Sequence, residues 1–215
     1  MTARTALILI DMQRDFLDPG GYAATAGLDV GALRRPIPAI RNLLAAARRT
    51  GLLVVHTREG HRPDLSDCPP AKLERSRSAG AAIGSAGPLG RLLVRGEFGH
   101  DFIDELQPLP GEPVVDKPGY GAFHQTDLAQ ILQSRGIRDL ILTGVTTEVC
   151  VHSTLREAVD RGYCCVLAGD ACGSAHPHLH DAALQMVAVE GGIFGRVADS
   201  QALIAELEHP HKETA

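Results

Sequence analysis

Near the amino terminus the chain reads Ala6-Leu-Ile-Leu-Ile10, five apolar residues without polar alternation, closed by the carboxylate of Asp11. A strand with one wet face alternates apolar and polar residues. An unbroken run suits a strand buried on both faces, as at the centre of a parallel sheet covered by helices on either side. The rest of the chain repeats this theme. From Ala32 to Thr50 apolar residues recur at helical spacing, Gly51 is a stop signal, and Leu52-Leu-Val-Val-His56 reads as a second strand. Further strands are predicted at Pro113–Asp116, Asp139–Thr143, Tyr163–Leu167 and Arg196–Ala198. Helices are predicted from Thr126, as N-cap, to Arg135, from Cys150 to about Arg161, over 177–190 and from Ser200, with a short piece at 101–106. Alternation of this kind predicts a three-layer α/β/α sandwich around a mostly parallel, roughly six-stranded sheet.

With 215 residues, 44% of them apolar, the chain is long enough to bury one sizeable core, and a single domain over 1–215 is expected. Residues 58–92, rich in Gly, Pro, Ser and charge, read as a functional or interface loop that covers the site rather than as a linker. Net charge is −5 without a basic run, so the footprint of a nucleic-acid binder is missing. The apolar run that ends at Ile10 is too short for a signal-peptide core or a membrane span, so no membrane partner and a cytoplasmic location are expected. Five cysteines, at 68, 150, 164, 165 and 172, form neither a C-x-x-C pair nor a zinc pattern, and each is read as a thiol.

Ligands of open parallel sheets bind beyond the carboxyl ends of the strands, so polar residues directly after apolar runs are the first candidates. Asp11 follows the first strand, Lys117 the third, and Cys150 opens the helix after the fourth. Lys117 is one of only three lysines, with Lys72 and Lys212, in an arginine-rich chain. Burial can move the pKa of an ammonium, unlike that of a guanidinium. A helix amino terminus and a nearby ammonium both favour thiolate, a carboxylate can pass a proton from thiol to leaving amine, and N–H groups of the Gly144–Cys150 turn can receive an oxyanion. Singly, Asp11 reads equally as a turn residue, Cys150 as buried filler and Lys117 as a snorkelling side chain. Their meeting at one rim favours a site for nucleophilic hydrolysis of amides.

The segments LILIDMQRDF at 7–16, DKPGYGAF at 116–123 and LTGVTTEVCVHST at 142–154 resemble, in order and spacing, the isochorismatase-like cysteine hydrolases, over nearly the whole chain. The resemblance implies Asp11 as proton acceptor and donor, Lys117 as electrostatic partner and Cys150 as nucleophile. It also implies a cis peptide at Val145–Thr146, an oxyanion hole from the N–H groups of Thr146 and Cys150, no organic cofactor, and a homo-oligomer, commonly a dimer or tetramer, in which the 58–92 loop helps close a neighbour's site. DPGGYAATAGLDVGALRRPIPAI at 18–40 and SRGIRDLILTGVTTEVCVHSTLREA at 134–158 look most like the ureidoacrylate and biuret-type members, which points to a linear ureide such as biuret, triuret or a ureidoacrylate. Nicotinamide and N-carbamoyl amino acids are the alternatives.

A ureide pocket needs fixed polar partners, because an unpaired buried polar group is costly. Candidates are Gln13, Arg58, Glu148 and Glu190, with Phe16, Tyr120 and Phe123 as walls; equally, Arg58 and Glu190 can pair, and Phe16 and Phe123 can belong to the core. The metal-binding Asp-x-His of similar nicotinamidases has no counterpart in His56-Thr-Arg-Glu-Gly-His61, whose aspartate is absent, and His176, His178 and His180 suit an exposed loop or helix start. No metal is expected. Two other classes compete. A dinucleotide-binding protein would carry G-x-G-x-x-G after the first strand, where Asp11-Met-Gln-Arg stands, and a scaffold protein has no need of the three rim residues.

Overall fold

The computed structural model describes residues 4–209. Six strands form one sheet: β1 (Thr5–Ile10), β2 (Leu53–Glu59), β3 (Val114–Lys117), β4 (Asp139–Val145), β5 (Cys164–Gly173) and β6 (Arg196–Ala198). Their spatial order is 3-2-1-4-5-6, and every neighbouring pair is parallel. The principal helices are α1 (Ile37–Arg49), α2 (Pro70–Ser78), α3 (Leu128–Ser134), α4 (His152–Asp160), α5 (Pro177–Val187) and α6 (Ser200–Glu208). No helix among the described residues is long and apolar enough to cross a membrane.

The unbroken apolar run of β1 follows from its central place between β2 and β4. Leu7 and Leu9 belong to a core shared with Ile40, Leu43 and Leu44 of α1 and Leu203 and Leu207 of α6. Ala6, Ile8 and Ile10 face a second core, shared with Leu128 and Leu132 of α3 and Leu155 and Ala158 of α4. Burying a Leu or Ile side chain contributes about 1.5–3 kcal/mol, so both helical layers are held mainly by these contacts. The result is the three-layer sandwich expected from the alternation of elements.

Several boundaries differ from the sequence reading, each for a local reason. The helix expected over 32–50 is two pieces, Val30–Arg34 and Ile37–Arg49, divided at Pro36, whose ring suits a helix start and not its interior. β2 does not stop at His56 but runs to Glu59, because His56, Thr57 and Glu59 are themselves buried. The predicted loop at 58–92 holds helix α2 and a small hairpin, Ala86–Gly87 with Gly90–Arg91. α3 begins at Leu128, where Thr126 Oγ1 accepts the Leu128 N–H at 3.3 Å. The piece at 101–106 is a single 3₁₀ turn, Asp104–Leu106. α5 ends at Val187, and Glu190, Gly191 and Gly192 follow with φ of 50°, 77° and 90°.

Where β1 and β4 run side by side, Gly144 pairs with Ile10 at φ +113°, and a Cβ at that position would lie 2.1 Å from the Ile10 carbonyl oxygen. Only glycine allows the two strand ends to close here. The carboxyl ends of β1 and β4 flank the point where the strand order reverses, the usual location of a ligand crevice in an open parallel sheet.

Glu112 ties the opposite end of the sheet together. Its carboxylate accepts hydrogen bonds from Arg48 Nε and Nη2, both at 2.8 Å, from Leu109 N–H at 2.8 Å, and pairs with His56 Nε2 at 2.9 Å. Burial alone would raise its pKa, but Arg48, the Leu109 N–H and His56 outweigh it and hold the group at about 2 instead of 4.5. A depressed carboxylate pKa contributes stability that is complete above the unfolded value and vanishes as pH falls through the folded one. Replacing Glu112→Gln is therefore expected to lower stability at neutral pH by about 2 kcal/mol. Denaturant titrations of both proteins should show that deficit shrinking between pH 4.5 and about 2.

Candidate active site

Three strand ends deliver charged side chains, and a fourth leads to a thiol, at one buried point. Asp11, directly after β1, is fully buried and adopts φ 54°. Its Oδ1 accepts from Thr57 Oγ1 at 2.7 Å, and its Oδ2 lies 2.8 Å from the Nζ of Lys117, the last residue of β3, with no well-aligned hydrogen bond of its own. Lys117, also fully buried, donates to Gly119 O at 3.0 Å and to Glu59 Oε2 at 3.3 Å. Glu59 is the last residue of β2, and its other oxygen, Oε1, sits 2.7 Å from the Nζ of Lys72 on α2. The Cys150 thiol donates to Glu59 Oε2 at 3.2 Å.

Cys150 does not open α4 but lies in a π-helical turn, Thr147–Val151, that leads into it. The N–H groups of Val149 and Val151 both bond to the Thr146 carbonyl at 3.2 Å, and the Val145–Thr146 peptide before them is cis. Thr146, Val149 and Cys150 line a cavity of about 280 Å³. Glu59, Lys72 and Tyr120 complete its polar head, while Phe16, Tyr22, Leu28 and Ile83 form apolar walls. Its volume lies below the roughly 300–1,000 Å³ of pockets for drug-sized ligands, which suits a small molecule. Much of the wall comes from α2 and the segment after it, so the 58–92 region covers this chain's own site.

Two ammonium groups and two carboxylates surround one thiol, and their environments differ. Burial raises the Asp11 pKa; Lys117 opposes this and Glu59 reinforces it, with a raised value as the net result. Burial would raise Glu59 too, but Lys117 and Lys72 together with hydrogen bonds from Lys72 and Cys150 bring it down to about 2. Burial alone would depress Lys117, yet Asp11, Cys150 and Glu59 more than compensate and keep it charged. The Cys150 thiol is pushed well up by burial, and the pull of Lys117 is offset by Glu59 and Asp11. At rest Cys150 is thus a thiol, not the thiolate that the ammonium alone would favour. Of the two carboxylates Asp11 has the higher proton affinity, while Glu59 is held as an anion.

The structure brings together Asp11, Lys117, Cys150, Thr146, Phe16 and Tyr120, and places the other candidates elsewhere. Gln13 is bound to protein on every side: its Nε2 donates to Glu59 O at 3.0 Å and His100 O at 2.9 Å, and its Oε1 accepts from Glu59 N–H at 2.7 Å. Arg58 forms an ion pair with Asp116 at 2.7 Å, not with Glu190. Phe123 stacks on Tyr163 at 5.7 Å within the α3/α4 core. Glu148 accepts from Ser174 Oγ at 2.9 Å, and Glu190 is exposed outside the cavity lining. Glu59, Lys72, Tyr22 and Thr57 are site residues that the sequence reading passed over.

Among the described residues, the candidate histidines do not converge on one point. His56 pairs with Glu112 at 2.9 Å, His61 with Asp67 at 3.3 Å, and His180 with Thr147 Oγ1 at 2.9 Å, while the His176 and His178 rings lie 6.1 Å apart. Among the described residues, the donor atoms of Asp11, Glu59 and Cys150 do lie within 4.8 Å of one another. The Lys117 ammonium already contacts both carboxylates there, so the chain itself supplies the positive charge that a metal would bring.

Known proteins resemble this chain over nearly its whole length. The isochorismatase domain model matches residues 5–202. The ureidoacrylate amidohydrolase of Azorhizobium caulinodans is 34% identical over 213 residues, covering 97% of this chain and 93% of the relative. Among solved structures, a cysteine hydrolase from Pseudomonas syringae pv. phaseolicola superposes with a TM-score of 0.81 at 28% identity, covering 96% and 93% of the two chains. The N-carbamoylsarcosine amidase of Thermoplasma acidophilum superposes with a TM-score of 0.70 at 26% identity, covering 92% and 96%. By the match over nearly its whole length, this chain belongs to the isochorismatase family of hydrolases.

Proposed function

We propose that this protein cleaves an amide C–N bond of a small linear ureide through a covalent intermediate on Cys150. The observation that carries this reading is the buried Asp11–Lys117 pair, 2.8 Å apart, beside a thiol at the head of a small cavity. As Sγ bonds to the substrate carbonyl carbon, its proton passes to Asp11, and the N–H groups of Thr146 and Cys150 receive the oxyanion. The C–N bond then breaks, the leaving nitrogen takes the proton from Asp11, and an acyl thioester remains on Sγ. Water gives a proton to Asp11 as it attacks the thioester, and the proton returns to Sγ as the acid or carbamate departs. Lys117 keeps its charge throughout and offsets the negative charge that moves between Asp11 and Sγ.

The ureide class is supported by the likeness to a ureidoacrylate amidohydrolase and by a cavity with both charge signs at its head. A second reading, an N-carbamoyl amino acid, is favoured by the structural likeness to N-carbamoylsarcosine amidase and by Arg75. That guanidinium lines the cavity, is exposed, and has no ion pair among the described residues, so it can meet a substrate carboxylate.

Ammonia release from biuret, triuret, a ureidoacrylate, N-carbamoylsarcosine and nicotinamide tests the reading. Turnover is expected with a ureide and is expected to fall at least about 10⁴-fold in Cys150→Ala. Turnover that survives this substitution refutes the mechanism, and turnover of nicotinamide alone refutes the substrate class. The pH dependence has a definite sign. Asp11 must be ionised to accept the proton and its pKa is raised above 3.8, so kcat/KM is expected to fall on the acid side with a midpoint above that value. An acid limb at or below 3.8 would show that Asp11 is not the base.

A further inference from the structure

Glu59 has no part in the proton transfers above, yet the fold spends much on holding it. It is 3% exposed, its backbone N–H and carbonyl are both bound by the Gln13 side chain, Oε1 is taken by Lys72, and Oε2 faces Sγ and Lys117. Lys72 is fixed in turn by the Pro118 carbonyl at 2.6 Å. A negative charge beside the nucleophile also raises the pKa of the thiol, which by itself hinders attack. A group retained at that cost calls for a role with the substrate.

We propose that Glu59 selects the substrate, its Oε2 accepting an N–H from the nitrogen that stays attached to the scissile carbonyl, so that molecules with nitrogen on both sides of that carbon are preferred to simple carboxamides. The inference rests on the ureide reading above and names the residue that would enforce it. At rest Oε2 accepts the thiol S–H at 3.2 Å. Once Sγ has given up its proton and bonded to carbon, that hydrogen bond is gone. The carbon on Sγ directs its oxygen to the Thr146 and Cys150 N–H groups and its leaving nitrogen to Asp11. Its remaining substituent lies about 3 Å from Sγ, in the region that Oε2 faces.

A nitrogen there offers an N–H that replaces the lost S–H as the bond to sulfur forms, so the contact stabilises the transition state and the acyl enzyme more than the resting site. A carbon there leaves a buried carboxylate oxygen with one partner fewer. Glu59 is thus a specificity residue, while Lys72 and Gln13 are positioning residues that aim Oε2.

Biuret and malonamide make the test direct, because they differ only in NH against CH₂ between two carbonyls. Wild type is expected to favour biuret in kcat/KM by at least about 100-fold. In Glu59→Gln the ammonium of Lys72 draws the amide oxygen toward itself and turns the NH₂ toward the substrate, and the preference is expected to fall to within a few-fold. The double variant Glu59→Met/Lys72→Met removes the ion pair as a whole and should give the same loss of preference if the glutamine variant folds poorly. Alkylation of Cys150 by iodoacetamide in both variants confirms that the site is intact. Equal turnover of biuret and malonamide by wild type overturns the inference and leaves the cysteine hydrolase standing, as does a preference unchanged in the variants. Failure of wild type to turn over any ureide overturns the substrate reading and this inference with it.

Discussion

A single buried ammonium organises this site. Lys117 lies 2.8 Å from Asp11 and 3.3 Å from Glu59, with no exposure to solvent. Without it two carboxylates would face each other inside the protein, and one would have to protonate. Lys72 then breaks the symmetry between them, because it touches Glu59 at 2.7 Å. At an effective dielectric of about 20, unit charges about 4 Å apart attract by about 4 kcal/mol, so one extra ammonium decides which carboxylate is the stronger acid. Glu59 becomes the fixed anion and Asp11 the carboxylate of higher proton affinity.

The sheet order makes this cluster possible. With strands arranged 3-2-1-4-5-6, the ends of β3, β2, β1 and β4 are consecutive neighbours, and each contributes one element: Lys117, Glu59, Asp11 and the turn bearing Cys150. The close pairing of Gly144 with Ile10 brings the last two together. Helix α2 adds Lys72 from outside the sheet and covers the cavity. The layers around the sheet keep the cluster dry, which makes its few charges effective.

The fold was legible where physics acts locally. A strand buried on both faces must be apolar throughout, as Ala6–Ile10 is, and a carboxylate, an ammonium and a thiol at strand ends are conspicuous. Legibility failed where a polar residue is buried by tertiary partners. His56 looked like the end of β2, but Glu112 satisfies it, and the strand runs on to Glu59. Ending the strand early hid Glu59 among loop residues. Lys72 was within reach, since the scarcity of lysine that marked Lys117 marks it equally. Gln13, Arg58, Phe123 and Glu148 have the right chemistry for a polar pocket, but periodicity says nothing about partners 26 to 58 residues away, and Glu59, Asp116, Tyr163 and Ser174 engage them.

The division of labour between the two carboxylates can be measured directly by following their side-chain carbon resonances in an NMR pH titration of the folded protein, assigned with Asp11→Asn and Glu59→Gln. Asp11 should titrate at the higher pH, above 3.8, while Glu59 stays ionised to the bottom of the folded range, toward about 2. The reverse order, with Glu59 taking up a proton while Asp11 remains charged, would make Glu59 the base and contradict the account.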